Sequence, residues 1–394
     1  MAEKGRFGNL SKDQEKALVK LKEVCKDVLK EKHTDMHLLR FLRARNFNVK
    51  KTEEMFRKDV EWRVQNEAIL KDLTLPEVVE KYWVGGEVGC DREGHITLVI
   101  PLCYIDPKGI VYSLHADEAI KVGIRFIQMF YNRMKENSKE HGRYIEGMTL
   151  LFDIEGLSPA FLWKPSMKLF TEMVQIMEQH FPETIKRVFV IRAPSLFPVA
   201  YNLVKPFIHE ETRKKIKFLK GSNWQKSVTK YIDPDILPKH WGGNRVDENG
   251  NPKCPEIVRL GGKVPESYYV KDHLKSDESL TKLVIGKSSH KELKYQVVVP
   301  KSAIRYQFKT DEGEISFGIT YVQKGKDPVI ILPVQKVQSH ITSVDGEIAT
   351  EEMGSYVIRF DNSAMLKSKT LSYLIEILEP GDEDLFEESA EDNQ

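Results

Sequence analysis

The sequence predicts a multidomain chain: a helical N-terminal module, an α/β domain with a mainly parallel sheet, and a C-terminal antiparallel β-sandwich. Three changes of pattern along the 394 residues support this prediction. Apolar residues recur at helical spacing up to about residue 75. Nearly continuous apolar strands alternate with helices over residues 76–246, which is typical of parallel sheets covered by helices. Strictly alternating short strands follow, which is typical of a β-sandwich.

The N-terminal module, residues 1–75, opens with a helix-capping signal. Ser11 can cap a helix, and Gln14 completes a capping box three residues later. A second helix pattern carries Arg40, Arg43 and Arg45 opposite its apolar residues. Such a cluster either binds an anionic partner or forms a solvated face paired with nearby acids, and the second is the commoner case.

The α/β domain is predicted from apolar strands at 148–153 and 188–191, separated by a helix pattern at 159–179. A segment rich in glycine, proline and charge, residues 247–275, predicts a linker. The β-sandwich is predicted to follow at 276–380. Residues 381–394 contain no lysine or arginine and many acids, which predicts a disordered tail.

Composition excludes several classes of function. The net charge of +1 provides no overall field that would attract nucleic acid. The four cysteines have no metal-ligand spacing, so we expect reduced thiols in a cytosolic protein, with neither metal nor cofactor. The N-terminus lacks the apolar core of a signal peptide, and no apolar run approaches the roughly 20 residues that span a bilayer. Any membrane contact is therefore expected to be peripheral.

Signals for catalysis are weak. Asp153 and Glu155 share one side of a strand end and could form an acid/base pair, but an aspartate there commonly caps a turn. His180 and His209 belong to no ligand-spaced cluster, and we interpret both as structural. No nucleophile elbow or phosphate-binding loop accompanies them, so no catalytic residue is predicted.

The most informative segment is the run 196–208, which is apolar almost all the way round. A helix of this kind must be covered on both sides. It either lies inside a large core, the commoner case, or separates the protein from a lipid-like ligand. Basic residues follow it at helical spacing, and they suit either an anionic membrane surface or an ordinary solvated face. The members of this predicted basic face are Arg213, Lys214, Lys217 and Lys220.

Several ordered motifs together resemble the CRAL-TRIO lipid-binding and transfer family. They are LLRFLRARNFNVKK at 38–51, LLFDIEG at 150–156, FPETIKRVFVIRAP at 181–194 and LFPVAYNLVKPF at 196–207. The sandwich motif GSYVIRFDNS at 354–363 is similar to the branch that carries a GOLD domain. The resemblance implies a sheet that floors a hydrophobic cavity, one sequestered lipid, a mobile gate helix matching 196–208, and no enzymatic activity.

The resemblance also implies site residues. In members that bind phosphatidylinositol, the headgroup contacts a glutamate and a lysine that match Glu183 and Lys215. The serine and threonine of those members correspond to Met148 and Leu150, which lack hydroxyls and favour a less polar ligand. We expect the following residues to line the cavity: Leu150, Phe152, Phe161, Phe170, Val174, Met177, Ile191, Phe197, Tyr201, Leu203, Val204 and Phe207.

The leading hypothesis is a cytosolic carrier of one tocopherol-, retinoid-, squalene- or phospholipid-like molecule, exchanged at an anionic membrane surface. Ala193-Pro194 and Lys205-Pro206 are the expected hinges of the gate, since proline limits helix continuation. The alternative is a lipid-sensing adaptor that recruits a protein through its β-sandwich without bulk transfer. A hydrolase is a distant third.

Overall fold

The computed structural model describes residues 4–221, 223–270, 280–323, 325–341, 343–364 and 367–381. It confirms the predicted architecture: N-terminal helices, an α/β domain with a largely parallel sheet, and a β-sandwich. None of the helices within these ranges is long and apolar enough to cross a membrane.

The N-terminal module is a small helical core. The capping box is present: Ser11 Oγ accepts a hydrogen bond from the Gln14 N–H at 3.3 Å, and Gln14 Oε1 accepts from the Ser11 N–H at 3.0 Å. Leu21, Leu38 and Phe56 are fully buried between the helices. The helices are α1 Lys12–Val24, α2 Asp35–Ala44, α3 Val49–Gln65 and α4 Glu67–Lys71.

The arginines of α2 join the module to the α/β domain, so the predicted solvated face is wrong for Arg40 and Arg43. Arg40 is buried and donates to the carbonyl oxygen of Pro182 at 2.9 and 2.7 Å. Arg43 pairs with Glu146 at 2.6 Å and with Glu183 at 3.5 Å. Buried guanidinium groups need such partners, because an unpaired buried charge is strongly destabilising.

The α/β domain contains, within the described residues, a sheet in the order β5-β4-β3-β2-β1-β6. Strands β2 to β5 run parallel, and β1 and β6 pair antiparallel at one edge. The strands are β1 Val84–Cys90, β2 Ile96–Pro101, β3 Met148–Asp153, β4 Ile185–Ile191, β5 Ile216–Leu219 and β6 Arg259–Leu260. The helices are α5 Glu77–Tyr82, α6 Pro107–Tyr112, α7 Ala116–Glu140, α8 Lys164–His180, α9 Phe197–Val204, α10 Glu210–Arg213 and α11 Trp224–Thr229. Short 3₁₀ helices include Pro159–Leu162 before α8 and Lys205–Phe207 after α9.

The predicted linker is wrong up to residue 270, because this segment packs on the α/β domain. Arg259–Leu260 pairs with Val84 and Gly85, and Val258 and Val264 are fully buried. The close approach requires glycine at position 86, where a Cβ atom would lie 1.8 Å from the carbonyl oxygen of Ile257. The remaining predicted linker residues, 271–275, lie outside the described residues.

The β-sandwich consists, in the described ranges, of two antiparallel four-stranded sheets ordered β11-β10-β13-β8 and β12-β9-β14-β7. Phe308, Phe317 and Phe360 meet in its core with ring centroids 4.6 to 5.3 Å apart. Residues 382–394 of the predicted acidic tail lie outside the described residues. The strands are β7 Thr281–Ile285, β8 Ser289–Val297, β9 Ser302–Thr310, β10 Ile315–Val322, β11 Val329–Val337, β12 Val344–Thr350, β13 Gly354–Asn362 and β14 Lys369–Leu378.

Candidate functional site

Side chains along the central strands of the α/β sheet point alternately to its two faces, and both faces are apolar. Leu150 and Val188 face the cluster that contacts α7, α8 and α9. Leu151 and Phe189 point the other way, towards Trp224 and Trp241. Both faces are covered by helices, as expected for a parallel sheet, but they are not equally well packed.

The face beneath α8 and α9 is bordered by apolar side chains that remain partly accessible. Among the described residues of α8, only His180 is buried, although the helix is amphipathic. Its Phe170 side chain is 45% exposed. Phe152, Phe161 and Met177 pack only partly against the buried cluster. Partly accessible apolar side chains grouped on one face are typical of a ligand-binding or interaction site.

Helix α9 closes this region on one side. Its Phe197 and Tyr201 rings lie 5.5 and 5.1 Å from the Phe218 ring on β5. Pro198 occupies the first turn, where its missing N–H costs nothing. The predicted single run 196–208 divides into α9 and the 3₁₀ helix that contains Pro206, since proline cannot donate to a helical hydrogen bond.

A close approach of α7 and α8 forms the adjoining wall. A Cβ atom at Gly123 of α7 would lie 1.7 Å from the Met173 Sδ atom of α8. The absence of a Cβ atom at Gly123 gives the Met173 side chain room to lie against α7. Ile127 and Phe130 of α7 lie partly buried against the same cluster.

The structure brings together several of the predicted lining residues and separates others. Those that meet at the apolar face are Leu150, Phe152, Phe161, Met177 and Phe197, with Tyr201 joining through the Phe197 and Phe218 rings. Phe207 is 39% exposed, Val204 is buried, and Val174 is half-buried. Residues of this face that sequence reasoning missed include Ile127, Phe130, Ile176, Ala200 and Phe218. The helical spacing of Ile127, Phe130 and Met134 was the available signal for α7.

Two predicted lining residues lie elsewhere. Ile191 is fully buried with Trp224 and Trp241 on the opposite face, because β4 alternates and Val188 and Val190 take the inner positions. Leu203 packs on the outer side of α9, towards the β-sandwich. We therefore correct both assignments.

Glu183 and Lys215, the predicted headgroup residues, lie next to each other. Lys215 Nζ is 3.4 Å and Arg43 Nε is 3.5 Å from Glu183 Oε2. Burial alone would raise the pKa of Glu183, but Lys215, Arg43 and Arg6 together hold it below its ordinary value. The carboxylate is therefore ionised within a cationic surrounding. The backbone of Glu183 has a φ of 60°, which is an unusual conformation for glutamate.

Backbone hydrogen bonds and strand pairing connect Met148 and Leu150 to the segments that carry these charged groups. Met148 pairs with Ile185, two residues beyond Glu183, and its N–H donates to the Thr184 carbonyl at 2.9 Å. Leu150 pairs with Val188, whose N–H donates to the Lys215 carbonyl at 2.9 Å. The segments that carry Glu183 and Lys215 therefore lie next to strand β3, whose inner face has no hydroxyl group at Met148 or Leu150.

The predicted basic helical face is wrong. Helix α10 ends at Arg213, and Lys217 and its neighbours form strand β5, whose period is two. Lys214 pairs with Glu211 at 2.7 Å, and Lys217 donates to the Tyr231 hydroxyl at 3.2 Å. Arg213, Lys214, Lys217 and Lys220 consequently do not form one helical stripe.

The strand-end carboxylates are bound in a structural network. Arg192 contacts Asp153, with Nε 3.1 Å from Oδ1, and pairs with Glu155 at 2.8 Å. Trp241 Nε1 donates to Asp153 Oδ2 at 3.0 Å. His180 Nδ1 lies 3.1 Å from Asp59 Oδ1, and the His180 ring stacks on Trp62. These contacts favour a structural role for His180 and for the carboxylates of Asp153 and Glu155.

A separate cleft of about 610 Å³ opens between the N-terminal helices and α7. Charged side chains, including Arg40, Arg63, Lys135 and Glu146, line it together with apolar ones such as Leu70, and none of the predicted lining residues borders it. Its size is suitable for a ligand, but charged walls do not suit an apolar chain. The apolar face beneath α9 is therefore the better candidate for lipid.

Comparison with known proteins identifies the family of the N-terminal and α/β parts of the chain. A family model described as CRAL/TRIO domain matches residues 80–243, and one described as CRAL/TRIO, N-terminal domain matches residues 10–58. The chain belongs to the CRAL/TRIO family. The N-terminal match begins before α1 and extends into α3, and the CRAL/TRIO domain match contains β1 to β5. Membership of this family supports lipid binding or transfer in general.

One relative and one solved structure illustrate the extent of similarity. Protein ctg-1 of Caenorhabditis elegans is 31% identical over 352 residues, which cover 87% of this chain and 91% of that protein. The structure titled "Crystal structure of Sfh5" is 15% identical with a TM-score of 0.48, and the similarity covers 64% of this chain and 94% of that chain.

Proposed function

We propose that the protein is a cytosolic, non-enzymatic carrier that sequesters one hydrophobic lipid beneath α9 and exchanges it at membranes. The observation that supports this proposal is the partly accessible apolar surface of α8 and the inner sheet face, closed by α9. Burying a long apolar ligand there gains about 25 cal/mol for each Å² removed from water. Tocopherol-, retinoid-, squalene- and phospholipid-like molecules share the required chemistry.

The inner strand face favours a ligand less polar than an inositol lipid. Met148 and Leu150 cannot hydrogen-bond a polar headgroup, and a buried headgroup without partners loses the compensation for its desolvation. Glu183, Lys215 and Arg43 can still bind a small charged or polar group at the edge of the apolar face. A molecule with a long apolar body and one small polar end meets both requirements.

Membrane contact is proposed at the end of the gate. Phe170 of α8 and Phe207 after α9 are 45% and 39% exposed, on elements that contact each other. Exposed aromatic side chains beside a lipid site suit insertion into the membrane interface. Opening would occur about the proline-containing segments at 193–194 and 205–206.

A transfer assay tests the proposal. Donor vesicles carrying fluorescent tocopherol or pyrene-labelled phosphatidylcholine are mixed with unlabelled acceptor vesicles, and we expect the protein to accelerate transfer of at least one probe. Phe197→Ala removes inner-face contacts, and a loss of about 1–2 kcal/mol weakens retention roughly five- to thirtyfold. Val64→Ala, at a residue 63% exposed on α3, is the control. Transfer no faster than the spontaneous rate for every probe contradicts the proposal.

The second candidate is a lipid-sensing adaptor whose GOLD-type sandwich recruits a protein partner. Strand β11 lies at the edge of its sheet and exposes Val329, Ile330 and Val334 by 52%, 69% and 52%. Exposed apolar edge strands are templates for pairing with another chain. An adaptor would bind a partner and a lipid probe in solution but would not accelerate transfer between vesicles.

A further inference from the structure

The outer side of α9 is covered by the β-sandwich. Leu196 and Val199, at the start of the helix, are buried in one cluster with Leu162, Ala303 of β9 and Leu378 of β14. Leu203 packs partly against the same cluster. A single short helix therefore contacts the candidate lipid face on one side and the C-terminal domain on the other, which accounts for its apolar character all round.

Polar contacts surround this apolar cluster. Lys108 of α6 pairs with Asp345 of β12 at 2.5 Å and lies 3.5 Å from Glu347. Arg305 of β9 donates to the carbonyl oxygen of Leu162 at 2.7 Å. The Lys108, Asp345 and Glu347 side chains are 24%, 11% and 3% exposed, so this pairing is partly shielded from solvent.

Two further contacts hold α9 and the residues just before it. Ser195 Oγ donates to Glu351 Oε1 at 3.3 Å, and Asn202 Nδ2 donates to the Glu379 carbonyl at 3.3 Å. The chain at Gly381 is also close to Asn202, since a Cβ atom there would lie 2.9 Å from Asn202 Oδ1. Outward movement of α9 would break these bonds and expose Leu196 and Val199.

We propose that the β-sandwich is a latch that holds α9 closed, so that lipid release requires its displacement. The proposal rests on the proposed function, because it assigns α9 the role of gate. The β-sandwich would then control lipid release, because the free energy of its docking on the α/β domain adds to the barrier for opening α9. Whatever competes for this contact would accelerate exchange.

A charge-swap experiment tests the latch in the full chain. Lys108→Asp places three acids together, and Asp345→Lys places two cations together, so each single variant should weaken docking. The Lys108→Asp/Asp345→Lys double variant restores an opposite-charge pair. We expect each single variant to release bound pyrene-labelled phosphatidylcholine to acceptor vesicles about fivefold faster, which corresponds to about 1 kcal/mol, and the double variant to return within about twofold of the starting protein.

Controls separate the latch from general destabilisation and from the proposed function. Lys336→Asp reverses a charge in the pair with Glu314, which lies within one sheet of the sandwich, and should leave release unchanged. Hydrogen exchange of residues 197–204 measures α9 opening without any lipid and should rise only in the single variants. Unchanged hydrogen exchange at α9, or unchanged release, in both single variants overturns the latch. If the unaltered protein takes up no lipid probe, the carrier function is contradicted. The hydrogen-exchange measurement still shows whether the β-sandwich holds α9 closed.

Discussion

Glu347 is the side chain whose ionisation bears most directly on the contact between the β-sandwich and the α/β domain. Burial and the neighbouring Asp345 raise its pKa, and although Lys108 and Arg305 act in the opposite sense, the pKa reaches about 7. Within the described residues, nothing hydrogen-bonds its buried Oε1 atom. Among the residues that the structure describes, Tyr112 and Tyr306 also interact electrostatically with Asp345 and Glu347.

Docking should therefore weaken as the pH rises. A carboxyl whose docked pKa is raised above its ordinary value stabilises the docked state at low pH, and this contribution is lost as the pH passes through about 7. Raising the pH from about 6 to about 8 should increase the release rate up to roughly tenfold. Glu347→Gln should remove the dependence, and Glu312→Gln, at an exposed site, should preserve it. A pH profile that Glu347→Gln leaves unaltered contradicts this assignment.

Residues far apart in sequence explain where single-residue predictions were wrong. Arg40 and Arg43 resemble surface arginines because their partners, Glu146, Pro182 and Glu183, lie more than 100 positions away. Local patterns contain no information on such pairings. For His180 and Asp153, the sequence argued only against catalysis, since no nucleophile or ligand cluster accompanied them. It did not predict their structural partners.

At the scale of the element, the sequence predicted both the bounds of strand β3 and which of its side chains point to each face of the sheet. Its predicted bounds, Met148–Asp153, agree with the structure, because a continuous apolar run between turn signals indicates a strand buried on both faces. The facing then follows from alternation, which places Met148 and Leu150 inward and Thr149 and Leu151 on the other side.

Because Met148 and Leu150 point to the inner face, replacing them with hydroxyl residues should change which lipid the protein prefers. Met148→Ser combined with Leu150→Thr adds two hydroxyls to the inner face of β3, next to the segments that carry Glu183 and Lys215, and a hydrogen bond contributes about 0.5–1.5 kcal/mol. We expect the ratio of phosphatidylinositol to phosphatidylcholine taken up from mixed vesicles to rise by about fivefold or more. The volume-matched control Met148→Leu/Leu150→Met should not change the ratio. Equal ratios in the two double variants would show that these positions do not contact the headgroup.

Strand β5 shows where element prediction fails. The basic residues at 213–220 have spacing compatible with a helix, but Ile216–Leu219 pairs parallel with β4 instead. Short edge strands of four residues carry too little alternation to be distinguished from a helical turn. Strand β11 was not predicted for a related reason: its apolar residues face solvent, so it lacks the alternation of a half-buried strand.

For the whole molecule, the order of the three structural units was predictable, and their contacts were not. Changes of period along the chain identify the helical, α/β and sandwich parts. Nothing in the sequence shows that Val258 and Val264 pack on the α/β domain, or that Ala303 and Leu378 cover α9. The apolar character of 196–208 indicated two covered sides, and only the fold shows that the second cover is the C-terminal domain.

The contents of the purified protein show whether it carries a lipid. Native mass spectrometry, followed by extraction and lipid analysis, should find one lipid per chain, with a long apolar body and a small polar end, and with inositol lipids at most a minor fraction. A protein that is empty when isolated, and that also takes up no lipid from liposomes, would contradict the account.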